Sequence, residues 1–139
     1  MSVAEMTEIF GPVLNPPTWR DLIDAGDLID VTESAKGVGV RYPMAVTKAV
    51  WEDCCVWGDE QRELHGYDQS ESVRVADLTY MAMICLKRMS TLASGLGRFG
   101  LWRASAITGV GGDVDLFVRI HDDGEGEPCI TVMTREEAA

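Results

Sequence analysis

Four cysteines, two histidines and a surplus of carboxylates are the side chains of this chain with chemistry to offer. Zinc sites place thiolates at spacings such as C-x-x-C, so that two of them converge on one ion about 2.3 Å away. Cys54 and Cys55 are adjacent instead, and Cys85 and Cys129 stand alone. Neighbouring residues of a 3.6-residue helix point about 100° apart, so Cys54 and Cys55 do not chelate together and no metal site is expected. In a reducing cytosol buried thiols behave as small hydrophobes, the role read here for Cys54, Cys85 and Cys129. The one nucleophile worth pairing is Cys55, with His65 or His121 as base. Such an enzyme also needs a lowered thiol pKa and an oxyanion site, and no neighbouring motif supplies the latter. Ser90, Ser94 and Ser105 lie outside any G-x-S-x-G elbow. The reading is therefore of a chain with no catalytic residue, no metal and no cofactor.

Two further motifs fail on context. Gly95-Leu96-Gly97-Arg98-Phe99-Gly100 matches G-x-G-x-x-G letter for letter. The dinucleotide fingerprint must follow a strand and open a helix, whereas here a helical pattern precedes it and a strand pattern follows. Asp122-Asp123-Gly124-Glu125-Gly126-Glu127 is rich in hard oxygen ligands but lacks the twelve-residue layout of a calcium loop, and reads as a hairpin turn.

The carboxylates form the stronger pattern. The chain of 139 residues holds 23 acids and 12 bases, a net charge of −11. That charge repels nucleic-acid phosphates and anionic lipid and favours basic partners. Residues 78–112 contain no acid and four bases, while residues 1–33 and 113–139 each carry a net −6. Asp21, Asp24, Asp27, Asp30 and Glu33 recur every three residues. On one helix they would make a ridge with neighbours about 5–6 Å apart, comparable to successive phosphates, although Gly26 interrupts it. Asp122, Asp123, Glu125 and Glu127 add a second acidic group.

The elements that must position these groups follow from periodicity. Residues 1–17, with Gly11-Pro12 and Pro16-Pro17, form a loose lead-in. Thr18 caps a short helix over 18–25 with Trp19, Leu22 and Ile23 on its apolar face. Leu28 to Val31 reads as a strand, residues 37–40 as a connector and Met44 to Val46 as a further extended stretch. Thr47 caps a helix to about Leu64, its face made of Val50, Cys54, Trp57 and Leu64, with a weak point at Gly58. Val75, Leu78, Ala82, Cys85, Met89 and Leu92 make one stripe of a central helix over about 73–93. Phe99–Ile107, Val114–His121 and Cys129–Thr134 are glycine-bounded strands. The expected fold is α+β: a short N-terminal helix and strand, two longer helices, then a C-terminal antiparallel three-stranded meander packed on the long helix. Residues 18–135 make one domain and 136–139 an acidic tail. The longest apolar stretch falls short of the roughly 20 residues of a membrane helix, and the start lacks a signal pattern, so a cytoplasmic protein is expected.

The run Tyr42-Pro43-Met44-Ala45-Val46-Thr47-Lys48-Ala49-Val50-Trp51-Glu52-Asp53-Cys54 resembles the signature of a family of small bacterial proteins of plasmids, phages and other mobile elements. Residues 22–31, 76–81 and 124–133 agree with it, while residues 95–112 match poorly and Ala76 stands where the family often has Trp. The resemblance implies no particular activity and carries over no catalytic residue. It implies a setting in which small acidic proteins interfere with host defence.

These readings combine into one expectation. The chain is a non-enzymatic acidic binding protein of a mobile element, an inhibitor of a bacterial defence complex of the anti-CRISPR type. It docks on a basic, nucleic-acid-binding surface through Asp21, Asp24, Asp27, Asp30, Glu33, Asp122, Asp123, Glu125 and Glu127, without binding nucleic acid or membrane itself. Trp19, Trp102 and Tyr67 are candidate aromatic anchors, and Trp51 and Trp57 core. The competing expectations are a small Cys-His enzyme and an oligomerisation module built on the Val75–Leu92 stripe.

Overall fold

A computed structural model describes residues 16–89 and 95–139. The elements in chain order are α1 (Trp19–Asp24), β1 (Leu28–Asp30), α2 (Thr32–Gly37), β2 (Met44–Thr47), α3 (Lys48–Val50), a π turn (Trp51–Cys55), α4 (Asp59–His65), α5 (Glu71–Met89), β3 (Leu96–Ala104), β4 (Gly111–Asp122), β5 (Pro128–Thr134) and α6 (Arg135–Ala138). The fold is α+β. Its sheet is five-stranded and mixed, in the order β1-β2-β5-β4-β3. The expected meander β3-β4-β5 is present, but it is not the whole sheet. β2 pairs parallel to β5 with Met44 opposite Ile130 and Val46 opposite Val132, and β1 pairs antiparallel to β2. All four residues of β2 are buried, as a strand covered on both faces requires.

Strand alternation divides the core. On one face Met44, Val46, Phe99, Leu101, Leu116, Val118, Ile130 and Val132 meet Leu78, Ala82, Cys85 and Met89 of α5. On the other, Leu28, Ala45 and Cys129 meet Trp19, with Leu22 and Ile23 packed beside them. The α5 stripe is therefore occupied within the chain and is not a free oligomerisation seam; Leu92 and the expected end of the helix at 93 lie outside the described residues. No described helix is long and apolar enough to cross a membrane.

The helix expected from Thr47 to Leu64 is broken. Thr47 does cap it, its hydroxyl accepting from the Val50 N–H at 3.3 Å. The last turn widens to a π turn that buries both Cys54 and Cys55, the backbone leaves the helix at Val56, and α4 restarts after Gly58. Arg74 supplies the physical reason. Its Nε–H donates to the Cys55 carbonyl (3.1 Å) and its Nη2–H to the Asp53 carbonyl (3.2 Å), groups left without helical amide partners when the helix stops. Leu64, assigned above to the buried face, is 68 % exposed as a result. The 136–139 tail is tied down: Arg135–Ala138 is a helical turn capped by Thr134, and the Thr47 hydroxyl donates to Glu137 Oε1 at 2.7 Å.

The G-x-G-x-x-G run is the start of β3, an edge strand, and no helix N-terminus follows it. Gly97 is required there by packing. A Cβ at that position would meet Met89 Sδ and lie 2.8 Å from Cys85 Sγ, so β3 could not approach α5.

Candidate functional site: an acidic edge and a buried arginine cluster

At one end of the sheet, α1 and the β4–β5 hairpin are locked together. Thr18 and Asp21 form a capping box, the Thr18 N–H donating to Asp21 Oδ2 at 2.9 Å and the Asp21 N–H to Thr18 Oγ1 at 3.1 Å. The next amide, Trp19 N–H, donates to the Asp123 carbonyl at 2.9 Å. This single bond brings the first turn of α1 against the hairpin. Within the turn, Asp122 Oδ1 accepts from Gly124 N–H (2.7 Å), and Asp123 Oδ1 accepts from Glu125 N–H (2.7 Å) and Glu127 N–H (3.2 Å). One oxygen of each aspartate thus builds the turn.

Beneath the turn, Trp19 Nε1–H donates to Thr131 Oγ1 at 3.0 Å, and His121 Nε2 lies 2.7 Å from the same hydroxyl. His121 Nδ1 is 2.9 Å from the Asp122 carbonyl, which only accepts, so the neutral ring carries its proton on Nδ1 and Thr131 donates to Nε2. Trp19 is 6 % exposed and belongs to the core, which corrects its assignment as a surface anchor. Trp102 and Tyr67 are 70 % and 39 % exposed.

The nine partner-binding candidates separate into two sets. Asp21, Asp24, Asp27, Asp122, Asp123, Glu125 and Glu127 make no ion pair among the described residues. Asp21 stands beside the hairpin group, and Asp24 neighbours it three residues along α1. Asp30 is instead 3.8 Å from Arg20, and Glu33 is 3.6 Å from Lys36 on a different helix. The every-third-residue ridge stops at Asp24, where α1 ends and the chain turns into β1.

A second charged cluster escaped the sequence reading. Arg74 and Arg103 are 2 % and 6 % exposed, and no carboxylate lies within ion-pair distance of either among the described residues. Backbone and amide oxygens take their place. Besides its two helix-end carbonyls, Arg74 donates to Gln69 Oε1 (3.1 Å) and sits 5.0 Å over the Trp57 ring. Arg103 Nη2–H donates to the Arg74 carbonyl at 3.1 Å. Burial, then the neighbouring Arg103, lowers the Arg74 pKa from its ordinary value. A signal for Arg74 was present, since it lies four residues before Leu78 on the same helix face. Arg103 likewise continues the Phe99, Leu101 alternation of β3.

Around these arginines the thiols are buried and held in the protonated form. Burial pushes Cys55 up to about 12, against the opposing pull of Arg103 and Arg74. Cys54 also rises to about 12, through burial and the Asp53 carboxylate. His65 hydrogen-bonds the Ala106 carbonyl (2.8 Å) and stacks near Trp57, and His121 serves the hairpin, so neither is placed as a base for Cys55. Cys129, 3.6 Å from His121, is pushed up to about 11 by burial and then by Asp123 and Asp122. Among the described residues no group of three His, Cys, Asp or Glu is arranged to hold a metal ion. Comparison with protein families, curated proteins and solved structures finds no match to this chain.

Proposed function

We propose that the chain is a non-enzymatic acidic binding protein whose α1/β4–β5 edge docks on a basic, nucleic-acid-binding protein surface. The inhibitory setting, a bacterial defence complex of the CRISPR type, rests on the resemblance of residues 42–54 to proteins of mobile elements. One observation carries the docking surface: Asp21 and the hairpin acids Asp122, Asp123, Glu125 and Glu127, none of them in an ion pair among the described residues, meet where the Trp19 N–H bonds the Asp123 carbonyl, whereas Asp27 lies at the opposite end of β1 and β2, its carbonyl accepting from the Lys48 N–H. The distribution of burial supports it, since none of the described carboxylates is buried while two of the twelve bases are. The surface left to a partner is thus more acidic than the composition alone implies.

In this reading the carboxylates stand in for phosphates before a cationic groove. They steer the encounter and set its salt dependence more than its final affinity. Asp30 and Glu33, already neutralised, contribute less. The test is capture of partners from bacterial lysate at low salt, comparing the parent chain with Asp21→Lys/Glu125→Lys. The paired reversal is expected to reduce capture by about tenfold or more, and added duplex DNA to displace the captured protein. Undiminished capture by the reversed variant, or indifference to DNA, would remove the mimicry mechanism.

A further inference from the structure

Helix α5 does not cover its face of the sheet evenly. Its last turns carry Cys85 and Met89 against β3, into the space that Gly97 leaves. Along the α5 face of β4 the exposure of successive side chains records the consequence: Leu116 is 1 % exposed, Val118 0 % and Ile120 37 %. The cover over this strand ends between Val118 and Ile120.

A notch of about 420 Å³ lies there, lined by Tyr42 from the chain entering β2, Met83 and Leu86 of α5, and Ile120 and Ile130 of the sheet. Ile130 is 1 % exposed, whereas Tyr42 is 46 % exposed, so an apolar occupant would remove Tyr42 and Ile120 from water. Small-molecule sites are concave, mostly apolar and about 300–1,000 Å³, with a few polar groups that fix orientation.

The polar groups at this notch have the opposite sign to the protein as a whole. Arg41 and Lys87 line it, and among the described residues no Asp or Glu does, in a chain with 23 acids. Arg41 also borders the cavity lined by Glu125 and Glu127, yet it makes no ion pair among the described residues. A guanidinium matches a carboxylate in a two-pronged, charge-assisted pair.

We infer that the notch is a binding site for an amphiphilic carboxylate, a medium-chain fatty acid whose tail lies on Tyr42, Leu86 and Ile120 and whose head group is held by Arg41 and Lys87. A wholly polar anion would leave the apolar lining wet, and an uncharged lipid would leave the cations unused. The site is on the α5 face of the sheet, away from Trp19 and α1, and the inference does not depend on the acidic-edge reading.

The test is calorimetric titration of the full chain with decanoate below its micelle concentration, with octanoate and decyltrimethylammonium as companion probes. Burial of the two additional methylenes is expected to make decanoate bind about tenfold tighter than octanoate. A chain of net charge −11 attracts a cationic amphiphile in bulk, so tighter binding of decanoate than of decyltrimethylammonium reports the local cations. Arg41→Glu/Lys87→Glu changes two exposed side chains and is expected to weaken decanoate by about tenfold or more with circular dichroism unchanged. Methyl NMR of the parent locates the ligand: Met83, Leu86 and Ile120 shift, while Ile84 and Ile107 do not. Absence of decanoate binding overturns the proposal, as does equal or tighter binding of the cationic probe. So does a charge-reversed variant that binds like the parent, or a set of shifts that misses Leu86 and Ile120.

Discussion

The buried arginines and the exposed carboxylates are opposite solutions to placing charge in one small fold. Among the described residues Arg74 and Arg103 are enclosed without a carboxylate, Arg74 held by two carbonyls that the broken helix leaves without helical partners and Arg103 by the Arg74 carbonyl on α5. Among the described residues the acids of α1 and the β4–β5 turn make no ion pair, and where they bond within the chain they order local turns. A guanidinium offers five donors in a plane and so can satisfy several carbonyls at once, whereas a carboxylate only accepts. The cation therefore serves the interior of this protein, and the anions remain for whatever meets its surface.

The largest expected effect breaks the first half of that contrast. Arg74→Met retains bulk but strands the Cys55 carbonyl, while the Asp53 carbonyl loses one donor and keeps the Ala106 amide. One orphaned buried acceptor costs about 1–3 kcal/mol, so a loss of that size is expected in urea unfolding. A midpoint close to that of the parent would mean the arginine is not what terminates the π turn.

Alkaline titration gives the next effect. Cys54 and Cys55 have folded pKa values raised from 9.0 to about 12, so between those values the folded state holds protons that the unfolded state has lost. Their contribution is complete below about pH 9 and declines as pH rises toward 12. Stability measured across that window should fall in the parent and fall less in Cys54→Ala/Cys55→Ala. Equal slopes would show that the buried thiols do not govern the alkaline limb.

Thr18→Ala has the smallest effect and probes the acidic edge. Loss of the cap is expected to cost about 1 kcal/mol, read as a shift in the thermal or urea midpoint. Because the Trp19–Asp123 bond uses backbone atoms, the hairpin should stay docked. A loss as large as that of Arg74→Met would mean that the acidic edge is as much a part of the core as the arginine cluster.

Much of the fold is legible in the sequence because its signals are local. Thr18 and Thr47 announce helix starts that their hydroxyls do cap, and the alternation Val114, Leu116, Val118, Ile120 gives β4 its inner face. A stripe counted from Val75 starts one residue late: Val75 is half-buried and Arg74 is enclosed, since an arginine is not counted as apolar until its partners are known. The parallel β2–β5 pairing is not legible, because its two strands are separated by most of the chain and nothing in Met44–Thr47 specifies a neighbour. The same holds for the site. Acid at α1 and acid at the hairpin are plain in the sequence, but Trp19 decides their meeting, by entering the core and handing its amide to Asp123.

Composition and periodicity by themselves determined an acidic α+β chain with a central amphipathic helix, a C-terminal meander and no spaced metal-ligand motif. Those properties depend on residue type and on contacts a few positions apart. Only the tertiary structure decided which charges are enclosed and which reach the surface, where the helix begun at Thr47 breaks, and in what order the strands pair. Each of these depends on groups distant in sequence satisfying one another's hydrogen bonds, and that is settled when the strands take their order.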